Sequence, residues 1–465
     1  MSIASITASS RLASIVGPAH VVSDSPEVAV YEIGGKKPSS VVRPGSAEEV
    51  TEIVKFAAAE KLCIVACGAR TKLAMGMPPR QYDLALDLTR LDRITAYDPG
   101  DLTLAVEPGV RLEKIEEVLA EHKQCLPLAV PYMSRSTAGG AIASGIDSAL
   151  RQMYGTARDY VLGMEFVTGE SVAAKSGGRV VKNVTGYDMH KLMIGALGTL
   201  GVITKINFRT YPVPISTRAF AANFESAERT LELRHAIARS PLTPMALEIL
   251  SPRAATLFSS EATARIAPGA LIADSLSRVH WALVAEFSGN ERVLDRCDRE
   301  FRKLAQECGC QSSNTLTGDV ALGIAVRKRE FIAITLPSSP AATIVKMSVL
   351  PTRMKELLTN AAKAAETNSL PWAAMARGLG VIYFALLPID RSDETRRRVI
   401  QTTDQILPEC AAMGGSATIP WSPAEWKSSL KVWGLERGDL DQMRKLKNIF
   451  DPHGVLSPGR FIGGL

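Results

Sequence analysis

Hydrophobic and polar positions alternate along the first half of the chain in short blocks that predict strands and helices in turn. Brief apolar runs predict strands, and Ser46 followed by Glu49 matches a capping box, which marks the start of a helix. The predicted elements are strands near 41–43, 63–66, 84–88 and 102–106 and helices over 47–60 and 112–121. Such alternation is typical of α/β and α+β proteins.

After Pro212 the spacing of the elements changes. Strands are predicted over 246–250, 281–287, 344–350 and 379–387, and helices over 291–307, 353–366 and 393–407. This order suits a sheet with helices on one face, which we interpret as a second domain. We expect a lead-in over 1–34, a first domain over 35–214, a second domain over 215–440, and a C-terminal segment over 441–465 that packs back on the first domain.

Composition and charge narrow the class of protein. A length of 465 residues allows about three domains. Hydrophobic residues make up 46% and charged residues 22%, which is ordinary for a globular protein and excludes a disordered or collagen-like chain. The net charge of +6 is small for this length, so we expect no nucleic-acid partner. Seven irregularly spaced cysteines and the lack of a signal sequence or long apolar run predict a cytoplasmic protein.

Glycine-rich clusters carry the candidate chemistry. The first, 66–76, follows a predicted strand and contains Gly68, Thr71 and Gly76. Backbone N–H groups in such a loop can form a concave phosphate site, and glycine lets the ligand approach the main chain. The alternative is an ordinary strand-to-helix turn. Further clusters lie at 136–145, 153–163 and 176–188, for which close packing, or an ion pair within Arg158-Asp159, is the simpler explanation. Glycines at 195, 198 and 201 favour turns before a strand over 201–204.

Several common cofactor motifs are absent from the sequence. No G-x-G-x-x-G follows a strand and no G-x-x-x-x-G-K-[ST] occurs, which argues against a Rossmann dinucleotide site and a P-loop. The six histidines lack metal-ligand spacing and the cysteines form no iron–sulfur run, so we predict no metal on this chain. An iron–sulfur carrier would have to lie on another chain.

Four elements of the sequence occur in a characteristic order. They are Arg43-Pro44, the loop 68–76, Thr137-Ala-Gly-Gly140 with Tyr154-Gly155 and Arg158-Asp159, and Gly198-Thr-Leu-Gly-Val-Ile-Thr204. Together they resemble the FAD-binding domain of the p-cresol methylhydroxylase (PCMH) and vanillyl-alcohol oxidase type. The segments 177–188 and 450–460 are most similar to the FAD-binding E subunits of bacterial glycolate oxidases.

The resemblance implies an α+β fold. A PCMH-type two-subdomain FAD-binding domain would cover 35–214, and an α+β, ferredoxin-like cap domain would cover 215–440. Covalent members of the family attach FAD to a histidine, often in the first loop, and 68–76 has none, so we expect non-covalent FAD. By resemblance, the FAD-binding residues are Gly68, Ala69, Arg70, Thr71, Lys72, Gly76, Pro131, Thr137, Gly139, Gly140, Ser144, Gly145, Gly155, Arg158, Val202 and Ile203.

The implied activity is oxidation of a 2-hydroxy acid, glycolate to glyoxylate, in a complex with a second flavoprotein subunit and an iron–sulfur subunit. Such a complex would reach the membrane only peripherally, through its partners. This chemistry needs a cation or N–H dipoles for charge on the flavin, a cation for the substrate carboxylate, and a base for its hydroxyl. The candidates are Tyr187, His190 and Arg327, with Arg158, Lys182, Lys191, Arg329 and Arg460 as further cations.

Simpler roles exist for these candidates. A lone histidine such as His190 and a basic run such as 327–329 more commonly lie on the solvated surface, and Tyr187 could equally fill core. Relatives that oxidise 2-hydroxy acids usually carry a histidine-rich motif in the cap, and none is visible here. Two other functions therefore stay open: a stand-alone flavin dehydrogenase or oxidase of another 2-hydroxy acid or alcohol, and a non-catalytic scaffold that keeps the FAD fold.

Overall fold

The computed structural model describes residues 3–23, 25–179, 186–260, 263, 276 and 279–465. The chain forms two compact units. Unit 1 comprises Met1–Asp147, Gly155–Pro212 and Glu436–Leu465, and unit 2 comprises Ser148–Tyr154 and Val213–Leu435. Within the described ranges, no helix combines the length and the apolar character that crossing a bilayer requires.

Unit 1 contains two main sheets and a set of mostly short helices. Its strands are β1 Val21–Ser23, β2 Ser40–Val42, β3 Ile64–Cys67, β4 Leu84–Asp87, β5 Ile94–Asp98, β6 Thr103–Val106, β7 Gln124–Cys125, β8 Val161–Val167, β9 Ala173–Gly177, β10 Val202–Arg209 and β11 Tyr211–Pro212. Its helices are α1 Ile3–Val16, α2 Ala47–Glu60, α3 Leu112–Ala120, α4 Ala138–Ser144, α6 Ala157–Tyr160, α7 His190–Met193 and α15 Leu440–Phe450, while α5 Arg151–Tyr154 belongs to unit 2.

The first sheet of unit 1 has the strand order β1-β2-β4-β3, in which β2, β4 and β3 are parallel. Helix α2 follows β2 and begins where the sequence predicted. Ser46 Oγ accepts a hydrogen bond from Glu49 N at 3.2 Å, and Glu49 Oε2 accepts one from Gly45 N at 2.7 Å. These two bonds provide partners for backbone N–H groups that would otherwise have none at the N-terminus of α2, and they fix where the helix begins.

The second sheet of unit 1 is antiparallel, with the order β5-β6-β10-β8-β9. One face buries Leu104, Ile206 and Phe208 completely, whereas the opposite face carries polar side chains. A bulge in β10 leaves Thr204 without a partner on β8, since Ile203 pairs with Phe166 and Lys205 pairs with Glu165. Because of this extra residue, Ile203 and Ile206 lie on the same apolar face.

The C-terminal segment of the chain extends the first sheet. Ile64 N donates to Val455 O, and Ser457 N donates to Ile64 O, both at 2.8 Å, so the tail runs beside β3. The Lys447 ammonium donates to Thr199 O at 2.7 Å and to the buried carboxylate of Asp451 at 2.5 Å. These bonds hold the tail against the turn that precedes β10.

Unit 2 is built on one eight-stranded antiparallel sheet with the order β15-β12-β14-β13-β17-β18-β16-β19. Its strands are β12 Ser216–Phe224, β13 Ala246–Leu250, β14 Trp281–Gly289, β15 Ser312–Leu316, β16 Thr343–Ser348, β17 Trp372–Arg377, β18 Val381–Leu386 and β19 Ser416–Trp421. Its longer helices are α8 Ala227–Arg239, α9 Pro252–Phe258, α10 Glu291–Glu307, α11 Gly318–Arg329, α12 Phe331–Thr335, α13 Met354–Thr367 and α14 Asp393–Ala412.

The expectation that helices cover only one face of this sheet is wrong. Phe301 of α10 stacks on Phe220 of β12, with ring centroids 5.5 Å apart. Lys328 of α11 instead contacts Glu248 and Glu286, which lie on the opposite face because side chains alternate along each strand. The basic run 327–329 had suggested a solvated surface rather than a helix packed on the sheet.

Helix α14 is longer than the sequence suggested. The predicted end near residue 407 lies next to Pro408, a residue that has no N–H and commonly terminates a helix. The helix continues to Ala412, and Pro408 lies in its last turns. The residues Ile406, Leu407 and Cys410 are buried, so packing maintains the helix across the proline.

Candidate functional site

A cleft of about 800 Å³ lies in unit 1 between the loop after β3, the start of α4 and the turn before β10. The lining residues are Ala66, Cys67, Gly68, Ala69, Arg70, Thr71, Lys72, Leu73, Leu88, Pro108, Thr137, Gly139, Gly140, Ala143, Ser144, Met193, Leu197, Gly198, Gly201, Ile203 and Arg460.

Gly68 and Thr137 form the narrowest contact in the cleft wall. A Cβ on Gly68 would lie 2.1 Å from Thr137 Oγ1, a distance that no real side chain tolerates. Thr137 is the N-cap of α4, and its hydroxyl accepts a bond from Gly140 N at 3.4 Å. Because Gly68 has no side chain, the backbone of the loop after β3 can approach the N-terminus of α4 closely.

Arg70 occupies a backbone conformation that normally favours glycine, with φ at 62°. Its guanidinium lies 4.5 Å from the centre of the Tyr31 ring, and Nη1 donates to Tyr31 Oη at 3.1 Å and lies 3.6 Å from Asp87 Oδ2. Tyr31 Oη donates to the same carboxylate at 2.5 Å. Burial and the adjacent Asp87 raise the pKa of Tyr31 to about 12, so it remains a donor. These contacts offset the strain at Arg70 and hold the loop.

Lys72 brings a second cation to the same loop. Its side chain is buried, and Nζ donates to Ser136 Oγ at 2.5 Å and to Pro131 O at 3.1 Å. Thr71 Oγ1 lies 3.1 Å from this nitrogen. One hydrogen-bonded network thus connects three of the predicted residues, Thr71, Lys72 and Pro131. Pro131 itself does not line the cleft.

Arg460 closes the cleft from the C-terminal tail. Its side chain is buried, and Nη2 donates to the carbonyl oxygens of Leu73 and Met75 at 2.6 and 2.7 Å. The Nε atom has no hydrogen-bond partner within the described part of the chain. Burial lowers the pKa of Arg460 to about 10, which still leaves the guanidinium charged at neutral pH. A buried, charged donor that lines a cleft calls for an anionic ligand group.

The lining fits the diphosphate of FAD. Arg70, Lys72 and Arg460 are cations, and the residues around the cleft include no Asp or Glu. Gly68 and Gly140 leave backbone exposed at the site where a phosphate would contact N–H groups. Burial raises the pKa of the Cys67 thiol far above its usual value, so this residue contributes a neutral, apolar surface.

The structure brings most of the predicted FAD-binding residues into this cleft and leaves others outside. The predicted residues that line it are Gly68, Ala69, Arg70, Thr71, Lys72, Thr137, Gly139, Gly140, Ser144 and Ile203. Those outside the lining are Gly76, Pro131, Gly145, Gly155, Arg158 and Val202. Among these, Gly145 and Gly155 have positive φ and shape turns, and Val202 is buried in β10. Arg158 is exposed, and Asp159 caps α6 through Thr156 rather than forming the predicted ion pair.

Residues that sequence reasoning did not assign to the cofactor complete the cleft. Leu88, Pro108, Met193 and Leu197 provide apolar surface, and Arg460 was considered only for a substrate carboxylate. No local pattern distinguishes such residues from ordinary core. The turn glycines Gly198 and Gly201 were noted for the shape they give the chain, and their position in the lining was detectable only as part of the family resemblance.

The candidate catalytic residues are dispersed. Tyr187 is 88% exposed and fills no core, whereas His190 is buried rather than on the surface. His190 Nδ1 lies 3.1 Å from Ser176 Oγ, and burial lowers the pKa of its imidazole. Lys191 pairs with Asp188 at 2.9 Å. None of the three candidates Tyr187, His190 and Lys191 lines the cleft, and Lys182 lies outside the described residues.

The basic run of unit 2 is buried, contrary to the expectation of a solvated face. Arg327 donates to the carbonyl oxygens of Phe258 and Gly323 at 2.9 and 3.1 Å, so its guanidinium joins α9 to α11. Lys328 lies 2.7 Å from Glu248 Oε2 and bonds to Glu286. Burial alone would lower the pKa of Lys328, but these two carboxylates raise it above its usual value. Carboxylates from two separate strands therefore neutralise Lys328, while Arg329 pairs with the neighbouring Glu330.

Metal ligation has no structural counterpart in the described ranges. No group of three or more His, Cys, Asp or Glu side chains there is arranged to hold a metal ion.

Comparisons with known families cover most of the chain. An FAD binding domain family matches residues 38–174, and the family described as FAD linked oxidases, C-terminal domain, matches 213–419 and 432–461. The chain is 25% identical over 429 residues to glycolate oxidase subunit GlcD of Bacillus subtilis, covering 91% of this chain and 88% of that protein. It is 26% identical to a D-lactate dehydrogenase of Anaerostipes hadrus, covering 93% and 91%, and to a D-2-hydroxyglutarate dehydrogenase of Xanthomonas citri, covering 91% and 89%.

Solved structures share the architecture at lower identity. Substrate-bound p-cresol methylhydroxylase superposes with a TM-score of 0.79 at 18% identity, covering 99% of this chain and 97% of the other. 4-Ethylphenol oxidase from Gulosibacter chungangensis gives 0.75 at 18%, with the same coverage. At such identity the likeness concerns the fold alone, and it confirms the predicted α+β, PCMH-type architecture.

Proposed function

The chain belongs to the FAD-linked oxidases, and from that premise we propose that it oxidises a small 2-hydroxy acid. It is an FAD-dependent oxidoreductase, as the sequence predicted, and FAD is its cofactor. The observation that carries the proposal is the cleft of unit 1, where glycine backbone and three cations converge without a carboxylate in the lining. A diphosphate complements this positive lining, in which Asp87 already pairs with Arg70.

Each cation has a distinct part in holding the cofactor. Arg70 fixes the shape of the loop through Tyr31 and Asp87, Lys72 provides positive charge at the loop base, and Arg460 adds a buried positive charge to the lining. Bound FAD supplies the redox chemistry, because its ring accepts a hydride from the substrate carbon. The apolar surface of Leu88, Pro108 and Leu197 excludes water from the bound molecule.

The substrate class rests on the relatives. Those compared carry names for glycolate, D-lactate and D-2-hydroxyglutarate, which share a hydroxyl next to a carboxylate. We propose glycolate, oxidised to glyoxylate, as the first substrate to test, and a second flavoprotein subunit and an iron–sulfur subunit as partners. Assembly in the cytoplasm, with membrane contact only through those partners, is part of the same proposal.

Purification tests the proposal. The chain should be yellow when isolated, and anaerobic glycolate, D-lactate or D-2-hydroxyglutarate should bleach its visible flavin absorbance, either alone or only together with the two partner chains. Bleaching by none of these acids in either preparation would refute the proposed substrate class. A colourless protein that takes up no added FAD would favour the scaffold alternative.

A stand-alone enzyme is the second candidate. The D-lactate and D-2-hydroxyglutarate dehydrogenase relatives support it, since neither is named as a subunit of a larger enzyme. Bleaching of the isolated chain at a catalytically useful rate, with no further change on adding partner chains, would decide for this alternative.

A further inference from the structure

A second pocket of unit 1 lies on the face of the antiparallel sheet that points away from the apolar core. Its volume is about 590 Å³, and it shares no lining residue with the cleft. The strand pairings show why its residues share one face: Asn207 pairs with Ala105, and Lys205 pairs with Glu165. Ala96, Ala105 and Gly178 are small, so the sheet surface has room for a ligand.

Three cations surround this pocket. Lys205 on β10 and Lys175 on β9 flank β8 from either side, and both stand opposite Glu165. Lys205 Nζ lies 3.5 Å from Glu165 Oε1, and Arg179 lines the pocket just after β9. One carboxylate against three cations leaves the pocket with a net positive charge. Glu165 offsets one of these three charges, so the remaining positive charge would attract an anionic ligand.

The floor of the pocket contains a buried amide. Asn207 is only 3% exposed, and its Oδ1 has no hydrogen-bond partner among the described residues. Buried acceptors are nearly always satisfied, so this oxygen indicates a donor that is not part of the protein. A molecule that binds in this pocket must carry negative charge to pair with Lys175, Lys205 and Arg179. It must also donate a hydrogen bond to Asn207 Oδ1.

We propose that this pocket is a second small-molecule site, which binds a small oxyanion that also carries a hydroxyl group. Its oxyanion contacts Lys175, Lys205 and Arg179, and its hydroxyl donates to Asn207 Oδ1. Two kinds of molecule share this chemistry. Phosphate retains at least one O–H at neutral pH, and a hydroxycarboxylate such as glycolate carries a carboxylate beside a hydroxyl. Sulfate and acetate have the charge but lack the hydroxyl.

Binding is measured on the FAD-loaded protein, in which the cleft already holds its own diphosphate. Calorimetric titrations at constant pH and ionic strength use phosphate, sulfate, glycolate and acetate. We expect phosphate to bind at least tenfold more tightly than sulfate, or glycolate to bind at least tenfold more tightly than acetate. The first result would identify a phosphate as the ligand, and the second a hydroxycarboxylate. Equal affinity within both pairs, or no binding by any probe, would overturn the proposal.

Variants assign the binding to this pocket, and in particular separate it from any glycolate bound as substrate. Lys175→Met and Asn207→Asp should each weaken the preferred probe at least tenfold. Lys175 is exposed, so its replacement leaves the sheet intact even if Asn207→Asp fails to fold. Lys37→Met removes an exposed surface lysine of the same unit and should change nothing. Unchanged affinity in Lys175→Met, with its circular dichroism preserved, would contradict the assignment. None of these readouts depends on turnover.

Discussion

Replacing Gly68 by alanine tests the FAD cleft most directly. The new Cβ would lie 2.1 Å from Thr137 Oγ1 and 3.1 Å from the Cβ and Cγ2 atoms of Thr137. Thr137 must therefore rotate or move, and its hydroxyl then loses the bond from Gly140 N that caps α4. The perturbation reaches both walls of the cleft through a single methyl group.

The magnitude follows from these two effects. Overpacking a tight contact costs roughly 1–3 kcal/mol, and losing a threonine cap costs about 1 kcal/mol. If half of this combined cost weakens binding of the diphosphate, the FAD dissociation constant rises roughly fivefold to thirtyfold, at about 1.4 kcal/mol per factor of ten. Thr137→Ala alone should lose only the cap.

The double variant Gly68→Ala/Thr137→Ala provides the critical comparison. Alanine at position 137 removes Oγ1 and Cγ2, so only the 3.1 Å contact with Cβ remains and a small shift can relieve it. We expect the double variant to bind FAD nearly as well as Thr137→Ala, which means that the two substitutions compensate. Flavin fluorescence quenching on the apoprotein measures the dissociation constants.

A control and a refuting result complete the design. Gly438→Ala adds the same methyl group in unit 1 where no atom lies within 4 Å, and it should leave FAD binding unchanged. If Gly68→Ala binds FAD like the unaltered protein, the loop after β3 does not approach the cofactor as argued. If the double variant is worse than either single variant, the clash with Thr137 is not the cause.

Four further outcomes are expected. Tyr31→Phe removes the hydroxyl that links Asp87 and Arg70 and should raise the FAD dissociation constant roughly threefold to tenfold, whereas an unchanged constant would show that Arg70 needs no anchor. Burial lowers the pKa of His190 below its usual 6.5, so just below pH 6.5 the imidazole is protonated in the unfolded state and stays neutral in the folded state. The free energy of unfolding should therefore decrease as the pH is lowered through this range, and His190→Asn should remove that dependence from a profile of melting temperature against pH. Lys328→Met removes the nearer cation of the buried Glu248 and leaves the Arg377 guanidinium 4.0 Å away, so it should destabilise the protein by about 3 kcal/mol in urea unfolding, while Lys303→Met at an exposed position should have no effect. Acid denaturation and filtration should separate all flavin from the polypeptide, because the loop 68–76 has no histidine; flavin retained on the protein would contradict non-covalent binding.

Local sequence signals singled out glycine-rich segments that line the cleft, and their binding of FAD stays a prediction. Gly68 and Gly140 stand out because only a residue without a side chain permits such close approach. The residue that Gly68 approaches, Thr137, and its role as the cap of α4 could not be predicted from the loop itself. Arg70 adopts a positive φ that glycine tolerates more easily, and Tyr31 binds its side chain, a contact that no pattern within the loop indicates.

Long-range contacts explain what the sequence did not predict. Arg460 reaches Leu73 and Met75 only because the tail runs beside β3, and no local pattern reveals a contact across so many residues. Lys328 is buried because Glu248 and Glu286 lie on two neighbouring strands beneath its helix. From the sequence alone, a run of basic residues predicts an exposed surface. Its burial becomes understandable only when the structure shows the carboxylates of Glu248 and Glu286 opposite Lys328.

The two sites of unit 1 depend on one irregularity in β10. Ile203 lines the FAD cleft from the apolar face, whereas Lys205 and Asn207 line the second pocket from the opposite face. A regular strand would place positions 203, 205 and 207 on the same side, because side chains alternate with a period of two. The unpaired Thr204 changes this alternation, so the same strand contributes to both sites. Deleting Thr204 would remove the bulge, so Ile203 would no longer lie on the face opposite to Lys205 and Asn207. The deletion should therefore impair FAD binding and anion binding together. A side-chain substitution in either site should affect only that site.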